Sequence, residues 1–284
     1  MSDELIKMSE YEYLKLRDFI NELCGLYFDD SSQFFLEKRL NNRLQLHQFT
    51  SFEDYYFFLK YDRRKDEEIN AIAEILTTNE TYFFREEPQL KAFTDEILPE
   101  IKAQYESIGK KELRIWSAGC STGEEPYTLA MLIKETGLFD DWNIEIFGSD
   151  ISLRVLKSAR NGEYSKSSFR LTKQEYIDKY FHPVEDRFRV NDDIKGMVTF
   201  GQLNLIDNVK ASTIEHVDII FCRNVIIYFD TETKVKVIDL FHERLKESGF
   251  LFLGHSETLM NISNKFVLRH FTNDMVYQKP ALVL

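Results

Sequence analysis

The stretch that decides the fold begins at Leu113 and reads Leu113-Arg114-Ile115-Trp116-Ser117-Ala118-Gly119-Cys120-Ser121-Thr122-Gly123. A short apolar run comes first, a glycine-containing turn follows, and a helical run from Tyr127 to Lys134 comes after Pro126. A glycine turn between a strand and a helix lets the backbone approach a ligand closely and points free N–H groups at it. The stretch therefore predicts the first strand and helix of an α/β sheet, with a ligand bound at the turn.

An acidic residue follows the next apolar run. Ile144 to Phe147 is followed by Gly148-Ser149-Asp150, which places a carboxylate at the end of a second predicted strand. A carboxylate in that place accepts hydrogen bonds from the two hydroxyls of a ribose, as in nucleoside-binding doubly wound sheets. A tight turn with a helix-capping Asp150 is the alternative, and the combination of glycine turn and acid favours nucleoside binding.

The C-terminal part alternates short apolar runs with helical segments, as in a parallel sheet. Val217 to Phe221 and Phe250 to Leu253 are the later runs of this kind. Phe266 to Phe271 and Met275 to Gln278 flank a turn and predict a terminal hairpin, which adds an antiparallel strand at the sheet edge.

Residues 162 to 202 depart from the alternation. Arg187 to Val190 and Met197 to Phe200 lie close together in a polar surrounding and suggest a small antiparallel β insertion.

The N-terminal part is predicted to be helical. Before residue 88 there is one glycine, Gly25, and no proline, and apolar residues recur at helical spacing, as in Leu36, Leu40 and Leu44. We predict a bundle of about four helices over residues 9 to 78. The proposed domains are a helical N-terminal domain, residues 1–85, and an α/β domain, residues 86–284.

Composition and charge exclude several classes of protein. Of 284 residues, 48 are acidic and 36 basic, and the net charge of -12 argues against sequence-blind binding to nucleic acid or anionic lipid. Three scattered cysteines without a CxxC pair predict neither a disulfide framework nor a metal site, and they favour the reduced cytoplasm. No run approaches 18 apolar residues and no signal-peptide core is present, so we expect no direct membrane insertion.

The glycine turn also matches the G-x-S-x-G motif of serine hydrolases. Ser121 is followed by Asp218 and His255 in the chain order of a hydrolase triad. A nucleophile elbow normally follows several strands, whereas only predicted helices precede this one. We therefore rank a serine hydrolase below a nucleoside-binding enzyme.

Four motifs occur in order along the chain: Thr77 to Arg85, Ser117 to Tyr127, Phe221 to Phe229, and Gly254-His255-Ser256-Glu257. Together they resemble chemotaxis receptor methyltransferases of the CheR type over nearly the whole chain. The resemblance implies a Rossmann-like S-adenosylmethionine-dependent methyltransferase domain with a small antiparallel β insertion, preceded by an all-α domain. It also implies methylation of glutamate side chains on the cytoplasmic helices of methyl-accepting chemoreceptors in chemotactic adaptation. The products are γ-glutamyl methyl esters and S-adenosylhomocysteine, and no metal takes part.

The resemblance also implies the site residues. The family's donor contacts fall on Asn79, Thr81, Arg85, Glu125, Asp150, Asn204, Leu205, Arg223 and Asn224. Tyr228 matches the tyrosine near the transferring methyl group, and we count Tyr228 and Arg85 as catalytic. The segment Arg223-Asn224-Val225 lacks the Asn-Pro-Pro-aromatic signature of amino-group methyltransferases, which favours an oxygen acceptor.

An acceptor glutamate needs no general base. Its ordinary pKa is about 4.3, so near neutral pH it is already a carboxylate. Catalysis then consists of aligning the reacting atoms and excluding water. Tyr228 can offer a ring face to the sulfonium, and Arg85 can bind the carboxylate of either donor or acceptor. A core aromatic and a surface ion pair are the structural alternatives for these two residues, and a non-catalytic S-adenosylmethionine sensor is the functional one.

Acceptor recognition is predicted on a local basic face. Residues 33 to 48 hold three bases and one acid, and Arg39 and Arg43 lie four residues apart on one predicted helix face. We interpret this face as the contact for an acidic methylation helix, with an ordinary solvated face as the alternative. Some CheR-type enzymes dock on a peptide at the receptor's C-terminal tail through the β insertion. Here the connection from Tyr180 to Val190 is short and has no glycine, so we expect no C-terminal pentapeptide tether.

Overall fold

The computed structural model describes residues 5–77 and 80–281. The chain forms two compact units: residues up to 78 together with Tyr228–Thr233, and residues 79–227 together with 234–284. Residues 80–85, which the sequence analysis placed in the helical domain, belong to the second unit, where Phe83 N–H donates to Ser168 O at 2.9 Å.

Four α-helices lie in the N-terminal segment of the first unit, residues 5–77: α1 (Glu10–Cys24), α2 (Gln33–Leu46), α3 (Phe52–Tyr61) and α4 (Lys65–Leu76). The predicted helical bundle is confirmed. Helix α1 begins with a capping box in which Glu12 N–H donates to Ser9 Oγ and Ser9 N–H donates to Glu12 Oε2. The apolar stripe of α2, Leu36, Leu40 and Leu44, is fully buried as its spacing predicts.

The second unit contains the remaining helices: α5 (Glu87–Ala92), α6 (Leu98–Glu106), α7 (Glu124–Thr136), α8 (Leu153–Asn161), α9 (Gln174–Tyr180), α10 (Asp192–Lys195), α11 (Asn208–Ala211) and α12 (Thr231–Arg244). A π-helical segment, Phe93–Ile97, joins α5 to α6, and the first residues of α12 belong to the first unit.

A seven-stranded sheet is the centre of the second unit. The described strands of this unit, which belong to two sheets, are β1 (Glu112–Ala118), β2 (Asn143–Asp150), β3 (Glu163–Tyr164), β4 (Phe181–Val184), β5 (Arg187–Val190), β6 (Val198–Gln202), β7 (Val217–Cys222), β8 (Leu245–Leu253), β9 (Val267–His270) and β10 (Met275–Gln278). The main sheet has the order β6-β2-β1-β7-β8-β10-β9, and β3, β5 and β4 form a separate antiparallel sheet. Strands β6, β2, β1, β7 and β8 are parallel, while β10 runs antiparallel to β8 and β9. The predicted fold class and the terminal hairpin are confirmed.

The insertion is smaller than the sequence suggests. Residues Val198–Gln202 form β6, which pairs in parallel with β2, so the segment Met197 to Phe200 does not belong to the small antiparallel sheet. A short strand that follows β5 closely in sequence looks like a hairpin partner. Its parallel partner β2 lies far away in the chain, where a local pattern cannot reveal it.

The parallel strands bring their carboxyl ends to one edge of the sheet. Strands β1, β2, β7 and β8 end there at Ala118, Asp150, Cys222 and Leu253. Ligands of open α/β sheets bind in the crevice outside this edge. In residues 5–77 and 80–281, no helix is long and apolar enough to cross a membrane.

Candidate functional site

The glycine turn after β1 packs tightly against the segment after β7. Gly119 has φ +79°, and a Cβ placed on it would lie 2.4 Å from Val225 Cγ2. The N–H groups of Gly119 and Cys120 both donate to Ser149 O, at 2.8 and 2.9 Å. Only glycine combines this backbone angle with this approach, so it brings the loops after β1, β2 and β7 together.

Asp150 lies at the end of β2 and is 8% exposed. Its Oδ2 accepts the N–H of Ser121 and its Oδ1 accepts the N–H of Ser152, each at 2.9 Å. Burial raises the pKa of this carboxyl, and the backbone donors act in the opposite direction. A carboxylate has about four acceptor positions. Asp150 is therefore fixed by the backbone and can still accept hydroxyl hydrogens from a ribose.

An ion pair connects helix α7 to the end of β7. Arg223 Nε donates to Glu125 Oε2 at 2.6 Å, and the Arg223 side chain is only 4% exposed. Glu125 Oε1 accepts the hydroxyl of Ser117 at 2.7 Å, and Arg223 Nη1 donates to Arg85 O at 2.8 Å. These contacts place Glu125, Arg223 and the Arg85 backbone at the same edge of the sheet.

A second acid beside Arg223 was missed by the sequence analysis. Glu86 Oε2 is buried without a hydrogen-bond partner and lies 3.6 Å from Arg223 Nη1. Glu86 directly follows Arg85 and has φ +61° at the start of α5. The sequence could have pointed to Glu86 only as a charged residue directly after the motif that ends at Arg85. Its role depends on the contact with Arg223, which is distant in sequence.

The segment that precedes α5 is anchored by aromatic packing. Phe83 is fully buried, and its ring contacts those of Tyr164, Phe169 and Phe181. The Arg85 guanidinium donates to Glu80 O at 3.2 Å. Phe84 N–H donates to Thr128 Oγ1 on α7 at 3.2 Å.

Two further proposed donor contacts, Thr81 and Asn79, lie in or next to this segment. Thr81 is half-buried. Asn79 lies outside the described residues.

Asn204 and Leu205 follow β6 at the same edge of the sheet. Leu203 N–H donates to Asp150 O at 3.0 Å, which joins this segment to the end of β2. Asn204 Oδ1 accepts the N–H of Ile206 at 3.3 Å, and Leu205 is 8% exposed. The structure thus brings the proposed contacts from the ends of β1, β2, β6 and β7 to one edge.

Asn224 follows β7 in a left-handed conformation, with φ +60°. Its Oδ1 is buried and has no hydrogen-bond partner. The carboxylate of Glu257 accepts the backbone N–H groups around it, a role that the sequence analysis missed although Glu257 belongs to a quoted motif.

The three candidates in the first unit have different environments. Arg39 is exposed, with its guanidinium 5.2 Å from the centre of the Phe35 ring. Arg43 instead donates through Nε to Glu68 at 2.8 Å, and Glu68 is buried. Arg39 and Arg43 therefore do not form one free basic face. Tyr228 is half-buried, and its carbonyl accepts the N–H of Tyr27 at 2.8 Å.

The hydrolase triad is not assembled. Asp218 accepts the N–H of Arg114 and pairs with Lys246, while His255 Nε2 lies 3.0 Å from Asp274. The backbone of Ser121 is held by Asp150. Each member of the supposed triad thus has its own partners, and these three residues do not have the geometry of a serine hydrolase triad.

Comparison with known families agrees with this geometry. Residues 79–275 match the family described as "CheR methyltransferase, SAM binding domain", and residues 11–77 match "CheR methyltransferase, all-alpha domain". The chain belongs to the CheR methyltransferase family. The predicted resemblance and the predicted S-adenosylmethionine cofactor are confirmed.

Curated relatives match this CheR methyltransferase over nearly its whole length. "Chemotaxis protein methyltransferase 2" of Vibrio cholerae is 35% identical and covers 97% of this chain and 95% of its own. "Chemotaxis protein methyltransferase" of Borreliella burgdorferi is 35% identical over 91% of this chain and 92% of its own. A protein of the same name from Vibrio parahaemolyticus is 33% identical over 96% and 98%.

The edge of the sheet suits the cofactor of a CheR methyltransferase. The glycine turn provides close backbone approach, Asp150 provides a fixed carboxylate, and the unpartnered Oδ1 of Asn224 provides a buried acceptor. S-adenosylmethionine carries ribose hydroxyls and amino groups that donate hydrogen bonds. Among residues 5–77 and 80–281, no group of His, Cys, Asp and Glu side chains is arranged to hold a metal ion.

Proposed function

We propose that this CheR methyltransferase methylates glutamate side chains on the cytoplasmic helices of chemoreceptors, giving γ-glutamyl methyl esters. The observation that carries the proposal is the cluster of Asp150, the Glu125–Arg223 pair and Asn224 at the carboxyl edge of the sheet. The relatives' shared name, chemotaxis protein methyltransferase, supports a chemotactic substrate. The reducing cytoplasm is the proposed location because receptor methylation helices lie there.

The reaction needs no proton transfer. Bound S-adenosylmethionine supplies a methyl group on a positively charged sulfur. A glutamate carboxylate oxygen forms a bond to the methyl carbon while the carbon–sulfur bond breaks. The electron pair of the broken carbon–sulfur bond stays on sulfur. Because the acceptor is already ionised near neutral pH, the protein's work is binding, alignment and exclusion of water.

We assign donor binding to the residues that the family resemblance implies: Asn79, Thr81, Arg85, Glu125, Asp150, Asn204, Leu205, Arg223 and Asn224. Asp150 would accept the ribose hydroxyls, and Asn224 Oδ1 would accept an N–H or O–H of the donor. The Glu125–Arg223 pair would fix the backbone of Arg85 beside the glycine turn, in agreement with the hydrogen bond from Arg223 to Arg85 O.

Tyr228 and Arg85 are the proposed catalytic residues. An aromatic ring attracts a cation at its face, so Tyr228 would stabilise the sulfonium while the methyl group is held in line. The Arg85 guanidinium would bind a carboxylate, for which its planar donors are suited. Its hydrogen bond to Glu80 O is exposed to solvent, so a carboxylate ligand can compete for the guanidinium.

Receptor recognition is proposed on α2. Arg39 is exposed and available to an acidic helix, whereas Arg43 would act indirectly, because its guanidinium is bonded to Glu68. We further propose that no C-terminal receptor peptide is needed.

The test is methylation of receptor-containing membranes with labelled S-adenosylmethionine. We expect label in the receptor band and its release as methanol by mild base, since methyl esters hydrolyse readily and N- or S-methyl groups do not. Membranes without receptor are the control. Base-stable label would contradict a glutamate acceptor, and tight donor binding without any label would support a sensor.

A further inference from the structure

We infer that Glu257 is a positioning residue for donor binding, because it fixes the turn that presents Asn224 to the donor. This inference rests on the donor site proposed above. The carboxylate of Glu257 accepts four backbone N–H groups. Oε2 lies 2.7 Å from Gly254 N and 2.8 Å from Asn224 N, while Oε1 lies 3.0 Å from Val225 N and 3.2 Å from Ile227 N.

The turn after β7 needs such support. Asn224 has φ +60°, a left-handed angle that a non-glycine residue keeps only where its surroundings enforce it. The N–H groups of residues 224, 225 and 227 all point to one side in this turn, and Glu257 provides the acceptor on that side. One carboxylate thus replaces the hydrogen bonds that a regular element would have supplied.

The close approach of the end of β8 to the turn after β7 requires glycine at position 254. A Cβ on Gly254 would lie 2.9 Å from both Asn224 Nδ2 and Glu257 Oε2, and 3.0 Å from Asn224 N. Gly254 therefore lets the end of β8 approach the turn after β7, with the carboxylate between them. The motif Gly254 to Glu257 acquires a physical meaning as a clamp on a neighbouring loop.

The clamp acts on a residue with an unused acceptor. Asn224 Oδ1 is buried without a hydrogen-bond partner, whereas buried polar atoms in folded proteins are nearly always paired. A donor group of S-adenosylmethionine would satisfy it. The described contacts of Glu257 are all backbone N–H groups, so it acts through Asn224 and not on the reacting atoms.

The test compares Glu257→Gln with a matched control, Glu96→Gln. Glu96 clamps another loop with the same chemistry, since Thr272 N–H donates to its Oε2 at 2.8 Å and Asn273 N–H to its Oε1 at 3.2 Å. Neither partner is a proposed donor contact. Glutamine keeps one acceptor oxygen and turns an NH₂ group toward the remaining N–H groups, so each variant weakens its own clamp.

Calorimetry with S-adenosylhomocysteine and amide hydrogen exchange are the measurements, both on the full chain without receptor. We expect Glu257→Gln to weaken binding about tenfold or more, and Glu96→Gln to change it less than about twofold. Exchange at Asn224, Val225 and Ile227 should accelerate in Glu257→Gln only. Thermal unfolding of both variants shows whether a difference in global stability accounts for the result.

Two outcomes would overturn the inference. One is unchanged affinity and unchanged exchange in folded Glu257→Gln, and the other is an equal loss of affinity in both variants. If Glu257→Gln does not fold, Asn224→Gly decides, because glycine tolerates the left-handed angle and removes only the amide. Wild-type affinity in Asn224→Gly would refute the role. Since no receptor is present, these results are independent of whether chemoreceptors are the substrate.

Discussion

At the scale of single residues, Asp150 should dominate the energy of donor binding. We expect Asp150→Ala to weaken S-adenosylhomocysteine binding about ten- to a hundredfold, because hydrogen bonds to a charged acceptor contribute roughly 1.5–3 kcal/mol. Titration calorimetry measures this. Asp141→Ala is the control, since Asp141 is an exposed partner of Lys111 at the opposite end of β2. Unchanged affinity in Asp150→Ala would remove Asp150 from the site.

Tyr228 allows positioning to be separated from binding. It lies four residues after Asn224 in sequence, beyond the carboxyl end of β7. If its hydroxyl orients the methyl group or the acceptor, Tyr228→Phe should keep donor affinity within a few fold and slow methyl transfer. Single-turnover rates at saturating donor are the measurement. Wild-type transfer by the variant would make Tyr228 a packing residue.

Sequence reasoning finds a site residue when the signal is local. The sequence pattern identifies Asp150 because it ends a strand that follows a glycine turn, and Arg223 because it lies within a family motif. The sequence does not predict the roles of Glu86 and Glu257, because their partners, Arg223 and the turn at Asn224, are distant in the chain. For Asp150, the sequence pattern predicts a carboxylate at the strand end but does not specify its backbone contact with Ser121.

At the scale of elements, the glycine turn offers a comparison between two glycines. Gly119 and Gly109 both have positive φ, +79° and +69°, but only Gly119 has a side chain where a Cβ would lie. In both alanine variants, the cost of the left-handed backbone angle should lower the free energy of unfolding by about 1 kcal/mol. Gly119→Ala must also displace Val225, so it should lower the melting temperature further and weaken S-adenosylhomocysteine binding.

Differential scanning calorimetry and ligand titration measure these two effects. Gly109→Ala should bind S-adenosylhomocysteine as the wild type does. Equal behaviour of the two variants would show that the approach of Gly119 to Val225 does not shape the site.

The helical unit should lose stability in acid through Glu68. Burial pushes the pKa of Glu68 upward, but hydrogen bonds from Arg43, Tyr55 and His47 outweigh it, so the pKa lies below its ordinary value. Glu68 therefore stabilises the fold above the ordinary glutamate pKa of about 4.3. That contribution is lost as the pH falls through the lower pKa of the folded state.

Thermal unfolding between about pH 6 and 3, followed by circular dichroism, measures this slope. We expect Glu68→Gln to be less stable near neutral pH and to show a weaker acid dependence. Glu53→Gln, at a half-exposed surface position beside Lys15, is the control that should keep the wild-type slope. An unchanged slope in Glu68→Gln would contradict the assignment.

The same scale shows where periodicity fails. Helical spacing predicted the bundle, and apolar runs predicted β1, β2, β7 and β8, because each pattern lies within one element. Strand β6 was placed in the wrong sheet, since pairing with β2 is a long-range choice. A local pattern identifies a strand more readily than its neighbour in the sheet.

At the scale of the whole molecule, charge sets the problem of substrate recognition. The protein carries a net charge of -12, and the acceptors proposed for it are acidic helices, so overall electrostatics oppose their encounter. Binding must then depend on local bases. Arg39 is exposed on α2, whereas Arg43 is neutralised by Glu68, which leaves Arg39 as the stronger candidate of the two.

The last prediction is that recognition uses this helical face and no receptor tail. A tail peptide would add to β4, the longer of the two edge strands of the small sheet ordered β3-β5-β4. Pro183 within β4 has no N–H to give to an added strand. The β4–β5 turn contains only Glu185 and Asp186, with φ +53° at Glu185, and so provides neither a glycine nor an open loop for a peptide.

Three measurements decide between the two modes of recognition. Calorimetry against the receptor's C-terminal pentapeptide should show no micromolar binding, and a receptor trimmed of its tail should be methylated at a rate near that of the intact receptor. Arg39→Glu should slow receptor methylation with unchanged S-adenosylhomocysteine affinity. Lys38→Glu, the same charge change at the neighbouring exposed position, should slow it less, because a specific contact depends on position whereas overall charge does not. Micromolar peptide binding, or activity that collapses on trimming while Arg39→Glu is harmless, would establish the tail as the tether.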